Sequence, residues 1–547
     1  MTLTMNEIYD EILRDGGMTP SKKIKQTSIR FPEKIAMRYK EFGVWQETTF
    51  EEFWKKSNYL SMGLKFFGIE KGDSVAIHSE NRPEWFIADI GIQSLGAVSV
   101  GLYPTNPASE VEYLLSHSES KILFAEDQEQ VDKALQVIEN LPLLEKIVYF
   151  EDRGLYSYDH PKLMRFDEFL EIGKSEYESF PEYVDQQLEE INDEDVAFLV
   201  YTSGTTSKPK GVLHAHRTIL GRKLMKEGWE HYQPDDNVLH AGTLNWTFTL
   251  GVGLMDVWLA GGHSHLYNGS KEPKKWIEMI EKYQISIFVG VPTIYRQILK
   301  YVEISKKSLS SLRYGLCSGE PLPKEVLKGW QSTVGTDLYE ALGMTELSTY
   351  ISTHKKIEIK PGSPGKPQPG RNIVILPEEN GTTPLQANEV GLLASHKSDP
   401  GLMLGYWKRP EEEKEVFRGD WFIGGDTASI DEDGYIWFHG RSDEIIKSFG
   451  YRVSPVEVEA ALDGLDNVNE SAVFGMQAHE NKTLICAVVV LNSNSKFVEE
   501  DIKLTLAETL ANYKMPHVIY PIKKIPRTRN GKIKRSQLKK EYANNID

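Results

Sequence analysis

The sequence predicts an α/β protein: a large N-terminal part of α/β subdomains, a β-rich subdomain after it, and a small α+β unit at the C-terminal end. Three observations carry this. From Trp54 onward short apolar runs alternate with helix-period stretches, the pattern of parallel strands with helices packed on the sheet faces. After about Pro361 proline, glycine and short apolar runs dominate. Beyond Arg441 the remaining chain has about the size of one small domain.

Lys55–Phe67 has helical spacing and Gly68 stops it. The turn Lys71–Gly72–Asp73 then leads into the short apolar run Ser74–His78, a strand by length and composition. Pro83 in a first turn opens a helix to Leu95. Ala97–Tyr103, Lys121–Ala125 and Lys146–Phe150 read as strands, with helices at Glu110–Ser116 and Gln128–Ile138 between them. The grammar returns as strand Ile285–Val291, helix Thr293–Val302 and strand Tyr314–Cys317. The β-rich stretch offers Asn372–Leu376, Gly391–Ala394 and Tyr435–Phe438. The last unit holds helix Pro455–Leu462, strands Ser471–Phe474 and Thr483–Leu491, helix Asp501–Tyr513 and a basic arm, Lys523–Lys540.

The 547 residues suffice for a sizeable core, and 40% hydrophobic with 26% charged residues is an ordinary globular composition. A net charge of −17 argues against nucleic-acid binding. Two cysteines, Cys317 and Cys486, make no disulfide framework and read as buried thiols. No apolar run is long enough to cross a membrane, and the acidic N-terminus does not resemble a signal peptide, so the expected compartment is the cytoplasm.

Chemistry enters at the end of the apolar strand Val196–Tyr201. It runs into Thr202, Ser203, Gly204, Thr205, Thr206, Ser207, Lys208, Pro209, Lys210 and Gly211. Backbone N–H groups and hydroxyls of such a loop can donate to phosphates, and its lysines supply charge. Pro209 stands where a Walker A loop needs its second glycine, which argues against a P-loop kinase or ATPase. Tyr201–Gly211 resembles the phosphate-binding signature of the adenylate-forming (AMP-binding) superfamily, which includes acyl-CoA synthetases, peptide-synthetase adenylation domains and firefly luciferase.

Five further stretches are similar to that family's motifs. In Tyr339–Glu346, a hydroxyl at Thr345 can hold an α-phosphate and Glu346 can hold Mg²⁺, a hard ion that prefers carboxylate and phosphate oxygens. The resemblance makes Glu340, Ala341, Leu342 and Gly343 a nucleotide block, with Leu342 where many relatives carry an aromatic. Ser318–Pro321 resembles the loop along the adenine edge, with Gly319, Glu320 and Pro321. The resemblance assigns the ribose hydroxyls to Asp426 and Arg441, with Gly425 where relatives usually carry threonine, and the hinge to Asp443. Phe449, Gly450 and Tyr451 resemble the segment that lines the pantetheine tunnel, and Pro526–Ile533 the C-terminal motif with catalytic Lys532.

The resemblance spans about Pro20 to Lys540 and implies three parts: a large domain, 1–441, for ATP and acid; a hinge, 442–443; and a small mobile domain, 444–547. It implies an AMP-forming carboxylate–CoA ligase using ATP, Mg²⁺ and coenzyme A. Asn81–Gln130 looks most like fatty-acid synthetases and Val289–Trp330 like medium-chain and benzoate ligases, so fatty and aromatic acids both stay open. Trp246, Phe248, Val289, Gly290, Val291, Leu316 and Leu342 are the candidate pocket walls. The alternatives are an acid-adenylating enzyme that loads a carrier-protein thiol and, from another class, a non-catalytic nucleotide-binding protein, which would not need Lys532, Glu346 and a hinge together. No carrier domain follows Lys540, which favours CoA. The oligomeric state is left open.

Overall fold

The computed structural model describes residues 18–202, 208–304, 308–448, 451–479, 482–492, 495–527 and 533–543. Strand Ser74–His78 forms as its composition suggests, and helix Pro83–Ser94 starts at its proline. Helix Phe50–Phe66 begins five residues before its apolar spacing suggests. Thr49 and Glu52 cap it reciprocally, side chain to backbone in both directions, which satisfies two otherwise orphaned N–H groups.

Two large sheets form the N-terminal body, where alternation alone suggested one repeating grammar. The first has eight strands, in spatial order Gly405–Tyr406, Lys210–Ala215, Val196–Thr202, Val98–Leu102, Ser74–His78, Ile122–Ala125, Lys146–Tyr149 and Leu163–Arg165. The last six are parallel, while Lys210–Ala215 returns antiparallel to Val196–Thr202. The second has nine strands and runs parallel through Asn237–His240, Ile287–Gly290, Tyr314–Ser318 and Leu338–Met344. Fully buried strands such as Tyr314–Ser318 read as continuous apolar runs because helices cover both faces.

A five-stranded sheet includes Ile373–Leu376, Gly391–His396, Trp421–Ile430 and Ile436–Arg441, the expected β-rich subdomain. A separate small C-terminal domain follows. Its strands Val468–His479, Lys482–Leu491 and Val518–Pro521 pack on helices Pro455–Asp463 and Glu499–Leu506 around Val473, Ile485, Val489, Ile502 and Leu506. The helix expected over Asp501–Tyr513 ends at Leu506, where Thr509 donates its hydroxyl to the Leu506 carbonyl and a separate turn, Asn512–Lys514, follows. Cys317 and Cys486 are buried free thiols. Among the described residues no helix is long and apolar enough to cross a membrane.

Candidate active site

Thr202 and Lys210 face each other in the antiparallel pair that bounds the hydroxyl-rich loop. Ser203, Gly204, Thr205 and Thr206 lie outside the described residues. The Lys210 ammonium pairs with Glu412 at 2.5 Å and sits 5.3 Å from the Tyr406 ring centre. Arg409 holds the same carboxylate at 2.6 Å. Partial burial pushes the Glu412 carboxyl up, but Lys210 and Arg409 outweigh it and keep it below its ordinary value. The loop's exit is therefore a rim of cations with one internal anion.

Leu338–Met344 carries the second block to the sheet edge as a strand. At Gly343 a Cβ would lie 2.5 Å from the Ser348 carbonyl oxygen, so only glycine fits this tight return. Leu342 packs toward the Val212, Leu347 and Tyr350 cluster. Thr345 and Glu346 follow in the turn and are held from two sides. His214 meets the Thr345 carbonyl oxygen through Nε2 at 2.8 Å, and the Tyr406 hydroxyl donates to Glu346 Oε1 at 2.8 Å. Glu340 is turned inward, where its Oε1 accepts the Leu322 N–H at 2.9 Å. Burial pushes its carboxyl up to about 8, and through the Leu322 N–H it braces the Gly319–Leu322 loop from inside. Ala341 beside it is buried.

Gly319 has φ +97°, and a Cβ there would stand 2.9 Å from Trp246 and 3.5 Å from Val291. The adenine-edge loop, Trp246 and Val291 thus meet, with Pro321 next in the chain. Trp246 is half-buried and packs edge-on against Phe248, with ring centres 5.0 Å apart. Val289 and Leu316 are fully buried in the main core. A side chain at Gly290 would point instead to Ile294 and Ala241, at 3.6 and 3.7 Å, on the other face of the strand from Val289 and Val291. A separate cavity of about 30 Å³ lies beside Thr345, lined by Phe198, Arg222, Met225, Thr247, Leu250 and Ser348 among others. Of the expected walls, Trp246 and Val291 reach the nucleotide loop, and none lines this cavity. Arg222 closes one side, its guanidinium paired with buried Asp256.

Asp426 and Arg441 face each other across the antiparallel strands Trp421–Ile430 and Ile436–Arg441, with Nη1 3.2 Å from Oδ1. Gly425 has φ +84°, and a Cβ would meet the Arg441 guanidinium at 2.9 Å, which accounts for glycine where a threonine was the expectation. Desolvation alone would loosen the Arg441 proton, but Asp426, Asp443 and Glu346 bind it more firmly, so these groups share one electrostatic environment. Asp443 is exposed in the turn after Arg441, 3.4 Å from its Nε, beside a cleft of about 650 Å³ that includes Ser442, Gly475 and Lys539. Tyr451 is exposed and stacks on Tyr513 at 4.5 Å. Phe449, Gly450 and Lys532 lie outside the described residues.

Tyr406, His214, Glu412 and Arg527 were not singled out in the sequence. Each is an ordinary residue until the fold brings it to a motif. Arg527 donates to Glu320 at 3.1 Å, while the other Glu320 oxygen accepts the Thr293 N–H at 2.7 Å.

Cations around a hydroxyl loop, a braced Thr–Glu turn and an acid–arginine pair beside it suit a nucleoside triphosphate, and a small domain contacts this crevice. This is the layout of a nucleotide-activating enzyme with a two-part body. The chain belongs to the AMP-binding enzyme family: that family's model matches residues 24–407, and its C-terminal domain matches 457–532. It is 30% identical over 523 residues to an uncharacterized acyl–CoA ligase, YtcI, of Bacillus subtilis (strain 168), covering 93% of each chain. It is 30% identical over 488 residues to the mitochondrial acyl-coenzyme A synthetase ACSM3 of Mus musculus, covering 86% of this chain and 80% of that one. The fold matches the anthranilate CoA ligase AuaEII in complex with anthranoyl-AMP, with a TM-score of 0.83 and 27% identity, covering 96% and 97% of the two chains. The protein is an AMP-forming acid–thiol ligase that works through an acyl adenylate, with ATP, Mg²⁺, CoA and a small carboxylic acid as its cofactors and partners.

Proposed function

We propose that the acid is a medium-chain fatty acid or an aromatic acid, bound beside Trp246. The observation that carries this is the meeting of Trp246, packed edge-on against Phe248, with Val291 and the Gly319 turn, which sets an apolar, aromatic wall next to the Ser318–Pro321 loop. A relative named 3-hydroxybenzoate–CoA ligase and a structural neighbour named anthranilate CoA ligase support the aromatic acid.

Glu346 suits Mg²⁺. Its Oε1 is oriented by Tyr406, and this ion usually needs only one or two carboxylates beside substrate phosphates. When bound, the ion supplies charge neutralisation at the triphosphate. The chain's own groups do the rest. The hydroxyls of Thr202 to Thr206 and the Lys210 ammonium receive the phosphates, Thr345 fixes the α-phosphate, and Asp426 with Arg441 holds the ribose. The acid's carboxylate attacks the α-phosphorus and pyrophosphate leaves. Lys532, contacting both anions, offsets their repulsion; each well-aimed donor of this kind contributes on the order of 3 kcal/mol. The CoA thiol then attacks the acyl adenylate and AMP leaves. Lys532 has no role in that step.

The proposed boundaries are a large domain to Arg441, a pivot at Ser442–Asp443 and a small domain from Glu444. The open cleft beside Asp443 supports the pivot, since a turn with free space can absorb a change in φ and ψ. Rotation there would exchange Lys532 for the Phe449–Tyr451 segment. The proposed compartment is the cytoplasm. The test is pyrophosphate release across short, medium, long and aromatic acids, with and without CoA. A preference for acetate over every medium-chain or aromatic acid would refute the substrate class. Thioester formation on a carrier protein but not on CoA would refute the acceptor.

A further inference from the structure

Helix Pro292–Tyr301 is the seat on which the small domain rests. Its first turn gives the Thr293 N–H to Glu320 Oε1 at 2.7 Å. One turn on, Arg296 Nη2 reaches Glu470 Oε2 of the small domain at 3.0 Å, and Nη1 reaches the Asn469 carbonyl at 3.4 Å. Another turn on, Lys300 donates to the Asn469 side chain at 2.6 Å. Arg527 answers from the small domain: Nη1 donates to Glu320 Oε2 at 3.1 Å and Nη2 to Glu470 Oε2 at 2.9 Å. One oxygen of Glu470 is thus shared by two guanidiniums, one from each domain, and Glu320 ties that cluster to the adenine-edge loop. All four side chains are largely shielded, at 14–21% exposure. Ion pairs there are screened less than at an open surface.

The seat is coupled to the catalytic segment by the backbone. Arg527 and Ile533 form an antiparallel bridge, and the Lys534 N–H donates to the Pro526 carbonyl at 2.9 Å. The described residues that flank 528–532, Arg527 and Ile533, are therefore held together next to the Glu320 cluster.

We propose that Arg296 and Arg527 are positioning residues for the adenylation half-reaction, clamping Glu470 and Glu320 so that the small domain stays docked while the adenylate forms. This rests on the reading of Lys532 as the adenylation lysine. The clamp must open before the thiol step if the domain rotates. Breaking it therefore slows the first half-reaction and spares the second, whereas a merely structural residue would slow both. Among the described residues, every side-chain hydrogen bond and ion pair of Arg296 runs to the small domain. Its replacement thus leaves the large domain's own bonds intact.

The experiment uses the full-length enzyme with Arg296→Gln, Arg296→Lys and, in parallel, Lys532→Ala. It measures ATP–pyrophosphate exchange and, separately, thioester formation from supplied acyl-AMP and CoA. For Arg296→Gln the expected result is exchange reduced about tenfold, the loss of one charge-assisted contact, with thioester formation at the wild-type rate or faster. Arg296→Lys should recover part of the exchange. As a second measurement on unmutated protein, added salt should slow exchange more than thioester formation, and this difference should shrink in Arg296→Gln. Equal loss in both half-reactions, or wild-type exchange with Arg296→Gln, overturns the clamp. If Lys532→Ala keeps full exchange, it is the reading of Lys532 that fails, and the two failures are told apart.

Discussion

Replacing Tyr406 with phenylalanine isolates the support of Glu346, the carboxylate proposed to hold Mg²⁺. The ring is 6% exposed and packs with Val212, Leu347 and Phe422, so phenylalanine preserves the packing and removes one hydroxyl. That hydroxyl donates to Glu346 Oε1 at 2.8 Å. A hydrogen bond to a charged acceptor is worth about 1.5–3 kcal/mol, and about 1.4 kcal/mol is tenfold in rate. Tyr406→Phe should therefore lower kcat/KM for adenylation by roughly 10- to 100-fold and raise the Mg²⁺ concentration needed for half-maximal exchange. Conversion of supplied acyl-AMP to thioester involves no triphosphate and should stay near wild type. The assay is ATP–pyrophosphate exchange across a magnesium titration, beside a thermal melt. A folded Tyr406→Phe enzyme with unaltered exchange and magnesium requirement would refute the bracing of Glu346.

Trp246→Ala should widen the pocket and shift kcat/KM toward bulkier acids, each methylene of depth being worth about 1–3 kcal/mol, with the KM for ATP little changed; an identical acid profile would remove Trp246 from the walls. Gly290→Ala should leave that profile unchanged, because its side chain would meet Ile294 and Ala241. Asp443→Pro should spare pyrophosphate exchange and cripple thioester synthesis, since proline fixes φ near about −65°; wild-type thioester synthesis would rule out a pivot there. Glu340 gives a pH dependence of stability. Burial raises its carboxyl from 4.5 to about 8, so between those values the folded state holds one more proton than the unfolded state. This contribution is fully present below about pH 4.5 and is lost as pH rises toward 8, at up to about 1.4 kcal/mol per unit. Glu340→Gln should gain stability relative to wild type as pH increases, and parallel urea midpoints at pH 5 and 7.5 would contradict it.

Local elements were largely legible. Ser74–His78 is a strand because a short run of four small or apolar residues and a histidine sits between a glycine turn and a proline-led helix, all short-range signals. What the alternation could not supply is partnership. Nothing near Val238 or Val75 says that the one pairs with Ile287 and the other with Ser99, so the division into two sheets was hidden. The site divides the same way. Asp426 and Arg441 were readable because their motif residues are themselves partners. Tyr406 and His214 were not, being 60 and 131 residues from the carboxylate and carbonyl they hold. Arg527 looked like one more cation in a basic arm, and only the docked domain gives it Glu320. For Gly290, a candidate wall from its place in an apolar strand, the sequence did not say that a side chain there would turn toward Ile294 and Ala241, because those neighbours come from elsewhere in the fold.

On the proposed mechanism the acid's own carboxylate oxygen attacks the α-phosphorus of ATP. The direct measurement is to supply an acid labelled with ¹⁸O in both carboxylate oxygens, together with ATP, Mg²⁺ and CoA, and to find the label by mass spectrometry. The expected result is one ¹⁸O in AMP, one in the thioester carbonyl and none in pyrophosphate. Label in inorganic phosphate with ADP as the nucleotide product, or AMP free of label, would contradict it.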